Sequence, residues 1–129
     1  MRLKDDFYTI TSVTEVDGRK LYVLHLNPDH FIFKAHFPGE PITPGVCLQQ
    51  MAVELAEEAA GQPLQLSYVK NVKFLSVVSP LQTPDFQICI NKFTVDEAAG
   101  SVAVQMTAQT PDIQLAKLSF TCKMLTEHF

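Results

Sequence analysis

The sequence predicts an α+β fold, an antiparallel sheet with one long helix against it. Two observations carry this. Six runs are rich in β-branched and aromatic residues, several of them alternating apolar with polar side chains as half-buried strands do. Between the second and third of them lies a single stretch whose apolar residues recur at helical spacing. The chain has 129 residues, which corresponds to one domain, 1–129, large enough to bury a real core.

The elements follow in order. Residues 7–16 (FYTITSVTEV) and 20–26 (KLYVLHL) read as two strands. Asp17-Gly18 between them is a strong hairpin signal. The stretch 27–45 carries four prolines, each of which removes a donor and restricts its predecessor, so it is expected to be irregular. The helix is expected over 44–60, with Thr43 as N-cap, Pro44 at the first helical position, and Gly61 and Pro63 ending it. Leu48, Met51, Ala52, Leu55, Ala56 and Ala59 form its buried stripe. A long or bent strand is expected over 64–78. Residues 85–93 put Phe86, Ile88 and Ile90 on one face, and 101–109 do the same with Val102, Val104, Met106 and Ala108. The last strand, 113–124, alternates Leu118, Phe120, Cys122 and Met124 against polar residues. Its parity breaks between Leu115 and Leu118, which predicts a bulge.

Composition narrows the function. Hydrophobic residues make up 47% and charged residues 19%, which is globular and not disordered. No apolar run reaches the ~18 residues of a membrane span, and the N-terminal MRLKDDFYTI lacks the apolar core of a secretory signal. A net charge of −4 argues against a nucleic-acid partner. Cys47, Cys89 and Cys122 are widely spaced in apolar surroundings, without metal-ligand spacing, and read as reduced core residues of a cytoplasmic protein.

The segment 36–56 (HFPGEPITPGVCLQQMAVELA) stands apart. His36 sits on a proline-rich turn just ahead of a helix N-terminus. The N–H groups near Gly45 and Val46 lack partners within the helix and carry partial positive charge. A thioester carbonyl placed there is polarised as in an oxyanion hole. Gly45 allows close approach to the backbone, and a histidine titrating near neutrality is a natural general base.

These residues resemble the 3-hydroxyacyl-ACP dehydratases of fatty-acid synthesis, the FabZ/FabA type. The match lies in HFPG at 36–39, PITPGV at 41–46, the lead-in NPDHFIFKAH, and KNVKFLSVVSP at 70–80. The resemblance implies the hotdog fold, in which an antiparallel sheet wraps around one long central helix. It implies a homodimer with two sites at the interface, which family members also extend to a trimer of dimers, and a substrate carried on acyl carrier protein or CoA. No metal or organic cofactor is implied. His36 would take the α-proton of a 3-hydroxyacyl thioester and a helix carboxylate of the other subunit would protonate the leaving hydroxyl. Phe37, Pro44, Gly45, Val46 and Phe74 would line the substrate site.

One departure bears on the chemistry. The family's carboxylate position is Gln50 here, and an amide cannot act as a general acid. The glutamine usual one turn later is Glu54. Three readings stay open. The acid has moved to Glu54, which shares a helix face with Gln50 at i, i+4. A partner chain supplies it in a heterodimer, leaving this chain as an impaired acyl-binding subunit. Or Gln50, Glu54, Glu57 and Glu58 are simply a solvated polar face. A hotdog thioesterase using Glu54 or Glu40 is the further alternative. Cys47 is expected to pack rather than react, and Phe31, Phe33, Phe37 and Phe74 to form core or acyl-tunnel wall. His25, His30 and His128 carry no expected role.

Overall fold

The computed structural model describes residues 2–35 and 39–125. Six strands form one antiparallel sheet: β1 (Tyr8–Val16), β2 (Arg19–Leu26), β3 (Leu64–Phe74), β4 (Asp85–Asp96), β5 (Ser101–Gln109) and β6 (Gln114–Met124). Their order across the sheet is β1-β2-β4-β5-β6-β3. Two helices intervene, α1 (Phe31–Ala35) and α2 (Gly45–Ala60). The β1–β2 hairpin turns on Asp17 and Gly18, both at positive φ (52° and 77°), as a two-residue turn matched to the strand twist requires.

The inward rows are those the alternation predicts. Phe86, Ile88 and Ile90 of β4, the four named residues of β5, and Leu118, Phe120 and Cys122 of β6 are buried. The expected bulge is present: Gln109 pairs with Gln114 while Ala108 pairs with Ala116, leaving Leu115 extra. Leu115 and Ala116 therefore both point inward and both are buried.

Helix α2 is enclosed. Every residue from Met51 to Ala56 is buried, so the sheet and the N-terminal segment cover it nearly all round. Gly61 ends it in the left-handed conformation, its N–H donating to Glu57 O at 2.8 Å. Its start differs from expectation. Pro44, not Thr43, is the N-cap, and no side chain among the described residues caps the helix. The Pro44 carbonyl instead accepts from Cys47 N and Leu48 N.

Three other expectations need correction. The proline-rich stretch holds a short helix, α1, because no proline falls within 31–35. Within it Phe33 enters the core, stacked on Phe7 at 4.7 Å, whereas Phe31 is exposed. Strand β3 stops at Phe74, where Leu75 N and Ser76 N both turn to Leu115 O. The bulge carbonyl thus redirects the chain away from the sheet. β3 and β1 are the edges, and β3 leaves Leu66, Tyr68, Val69 and Phe74 exposed.

Candidate active site

The N-terminus of α2 opens on an apolar cleft of ≈ 370 Å³ lined by Ile42, Thr43, Gly45, Leu48, Phe74 and residues 75–78. Two segments shape it. The chain entering the helix is tied to the far wall by Thr43 N donating to Val78 O at 2.8 Å. The chain leaving β3 is held by the bulge at Leu115. The N–H groups of Gly45 and Val46 have no hydrogen-bond partner among the described residues. They are the donors a helix start leaves free. The Phe74 ring lies directly on Gly45: a Cβ there would stand 2.7 Å from its Cζ. A side chain at position 45 would have to displace the ring. Phe74 is 54% exposed, so the ring has room to move. Val46 stands out into solvent at 70% exposure. Thr43 is buried, and its hydroxyl has no partner among the described residues. The sequence offered no reason to single it out except as a cap. The amide atoms of Gln49 are likewise buried and unpartnered.

His36 and Phe37 lie outside the described residues, as does His128. Gly39 and Glu40 border a second cleft with Pro41, Ile42, Val77 and Leu81.

Gln50 and Glu54 are together, but Glu54 does not face the cleft. It is 1% exposed and sits beneath the N-terminal turn. Its Oε1 accepts from Lys4 N (2.8 Å) and Tyr8 Oη (2.9 Å), its Oε2 from Leu3 N (2.8 Å) and Gln50 Nε2 (2.8 Å). All four partners donate, so both oxygens are committed inside the chain. Of the readings left open, the solvated polar face does not hold for Glu54, and both of its oxygens are already accepting from donors within the chain. Burial, then the charge and hydrogen bond of Glu54, push the Tyr8 phenol well above its usual range. Arg2–Glu57 and Lys4–Glu58 ion pairs strap the same turn to α2 from outside. No single motif announces this cluster; it joins residues about fifty positions apart.

The remaining candidates are structural. Burial raises the Cys47 thiol, which suits packing rather than nucleophilic attack. His30 is buried: its Nδ1 accepts from Ile32 N (3.1 Å), so Nε2 carries the proton toward Asp6 Oδ2 (3.1 Å). It caps the start of α1 and braces it against the N-terminal turn.

An antiparallel sheet wrapped on a buried helix, with a helix N-terminus open to an apolar cleft, defines a hotdog-type scaffold. The chain belongs to the ApeI-like family: the family's model, described as ApeI dehydratase, matches residues 13–109. The 3-hydroxyacyl-[acyl-carrier-protein] dehydratase FabZ of Lactiplantibacillus plantarum is 29% identical over 92 residues, covering 62% of this chain and 63% of that protein. The match thus spans less than two thirds of that relative. Among solved structures, the dehydratase heterocomplex ApeI:P from Xenorhabdus doucetiae aligns at TM-score 0.66 and 19% identity, over 88% of this chain and 96% of that one. The dehydratase domain from the CurF module of curacin polyketide synthase aligns at TM-score 0.53 and 11% identity, over 92% and 44%. These likenesses show the hotdog fold. No helix among the described residues is long and apolar enough to cross a membrane.

Proposed function

We propose that this chain is a subunit of a (3R)-3-hydroxyacyl thioester dehydratase, acting on an acyl group carried by acyl carrier protein or CoA. The observation that carries this reading is the α2 N-terminus, where the Gly45 and Val46 N–H groups have no partner among the described residues and Gly45 borders an apolar cleft, a few positions after the sequence motif HFPG at 36–39. Thioester oxygen bound at those N–H groups is polarised, which acidifies the α-carbon. His36 takes the α-proton, the C2–C3 double bond forms, and the 3-hydroxyl leaves as water once protonated. The acyl chain runs along Ile42, Leu48, Phe74 and Val78. The exposed apolar residues of β3 support a dimer joined along that edge.

The commitment of Glu54 to the N-terminal turn favours a second reading for the proton donor. With Gln50 at the acid position, an acid from a partner chain completes the site that holds His36, as in a heterodimer with an acid-bearing homologue. A relative of this chain forms a dehydratase heterocomplex, which supports the idea.

The test is to incubate the purified protein with a 3-hydroxyacyl-ACP and follow the thioester by intact mass. Loss of one water, abolished by His36→Ala, is the expected result for a self-sufficient enzyme. No change with folded protein, restored by adding an acid-bearing homologue, is the expected result for the heterodimer. Release of free carrier thiol would establish a thioesterase and overturn both.

A further inference from the structure

We infer that the outer face of the β4-β5-β6-β3 part of the sheet is a lysine platform that docks this chain onto an anionic lipid surface. This role is independent of the reaction proposed above.

The chain carries a net charge of −4, yet its cations are unevenly placed. The alternation that sends Val102, Val104 and Met106 into the core turns Gln105 and Thr107 outward. Lys92 pairs in register with Gln105 and Lys117 with Thr107, so both lysines point outward. Lys123 pairs with Ser101 on the same side. On β3, Lys73 stands opposite Lys117, and Lys70 borders a ≈ 280 Å³ trough with Tyr68, Lys92, Thr94 and Thr121. All five lysines are exposed. They are half of the chain's ten Lys and Arg residues, and none has an acidic partner among the described residues. The acids of these four strands lie at the two ends of β4 and are engaged. Asp85 Oδ1 is 2.7 Å from His25 Nδ1, and Asp96 Oδ1 accepts from Ala99 N at 3.0 Å.

Lys73 opposite Lys117 carries a cost. Like charges directly across a ladder destabilise a sheet, and no carboxylate offsets this pair. Such a local conflict is what a functional surface carries, and a counter-charge from outside the chain resolves it. Strand spacing and rise place the five lysines within roughly 14 by 20 Å. That is about two screening lengths, so they attract an anionic surface together. A second copy stacked face to face would bring lysines against lysines. The make-up of the face selects lipid over an acidic protein. Protein interfaces rest on buried aromatic and arginine anchors and are poor in lysine. Here the side chains between the lysines are Thr94, Gln105, Ser119 and Thr121, and both arginines of the chain, Arg2 and Arg19, lie outside these strands. Compact ammonium groups on a polar face suit a diffuse layer of anionic headgroups, each lysine strengthening binding about fivefold.

The experiment is co-sedimentation of the full chain with vesicles of phosphatidylcholine, alone or with about a third phosphatidylserine. The chain is expected to bind the anionic vesicles at low salt, to leave them as salt rises to about 0.5 M, and not to bind the neutral ones. Lys117→Gln is expected to weaken binding about fivefold, and Lys73→Gln combined with it about 25-fold. Lys34→Gln removes the same charge from α1 and is expected to leave binding unchanged. Because Lys117→Gln also relieves the pair with Lys73, its urea midpoint rises, and weaker binding cannot then be laid to unfolding. No binding to anionic vesicles, equal binding to neutral ones, or equal loss in Lys34→Gln and Lys117→Gln would each overturn the inference. Retention on polyglutamate without vesicle binding would overturn it in favour of an acidic polypeptide.

Discussion

Glu54 illustrates how one residue's role changes when its neighbours are known. On the sequence it is one of several acids on a helix. In the structure it is a buried carboxylate holding Leu3, Lys4, Tyr8 and Gln50. Removing it leaves buried donors unpaired, each costing about 1–3 kcal/mol. Glu54→Ala is therefore expected to lose at least about 3 kcal/mol of stability by urea unfolding, against about 1 kcal/mol for Tyr8→Phe, which removes one bond and leaves the carboxylate paired. A loss under about 1 kcal/mol for Glu54→Ala would contradict the geometry. The sequence singled out Gly45 for a ligand's approach, whereas what lies against it in the structure is the Phe74 ring, from a strand end some thirty residues away. Thr43 was misread because capping by Pro44 depends on how the chain meets Val78, a contact no local pattern records.

At the scale of elements, the β6 bulge is the most consequential feature. It was legible as a break in alternation between Leu115 and Leu118. Its purpose was not. The Leu115 carbonyl accepts from both Leu75 N (2.8 Å) and Ser76 N (3.1 Å), and so ends β3 and builds one wall of the cleft. Deleting Leu115 removes a buried leucine as well, which alone costs about 2–5 kcal/mol. The expected signature is local: amide exchange at Leu75 and Ser76 accelerates far more than at the centre of β5. Equal acceleration throughout would mean that the bulge serves only general stability. The early end of β3 could not be foreseen, because 64–78 is strand-like throughout and the stop is imposed by β6.

At the scale of the molecule, burial favours the neutral forms of the Cys122 thiol and the Tyr8 phenol. Burial, with a smaller contribution from Glu57, pushes the Cys122 thiol up to about 11 from its usual 9.0. Tyr8 is also raised above its usual 10.0. The unfolded chain releases these protons first as pH rises, so the folded state binds more protons above about pH 9 and stability must fall there. The urea midpoint is expected to be unaffected by these two groups below about pH 9 and to drop as pH rises to about 11. Cys122→Val should remove part of that drop; an unchanged slope would show that the thiol is not the group responsible. The fold class, the six strands, the long helix and the family resemblance were all readable, because alternation, helical periodicity and the Pro-Gly motif are properties of neighbouring residues.

By itself the sequence determined which segments are the six strands and the long helix, and which face of β4, β5 and β6 is buried. Each of these follows from chemistry within a few residues. Only the tertiary structure decided that Glu54 is spent on the N-terminal turn, that Gln50 donates to it, and that the cleft wall hangs from Leu115. Those depend on distant segments meeting, and hydrogen-bond polarity is settled only when both partners are in place.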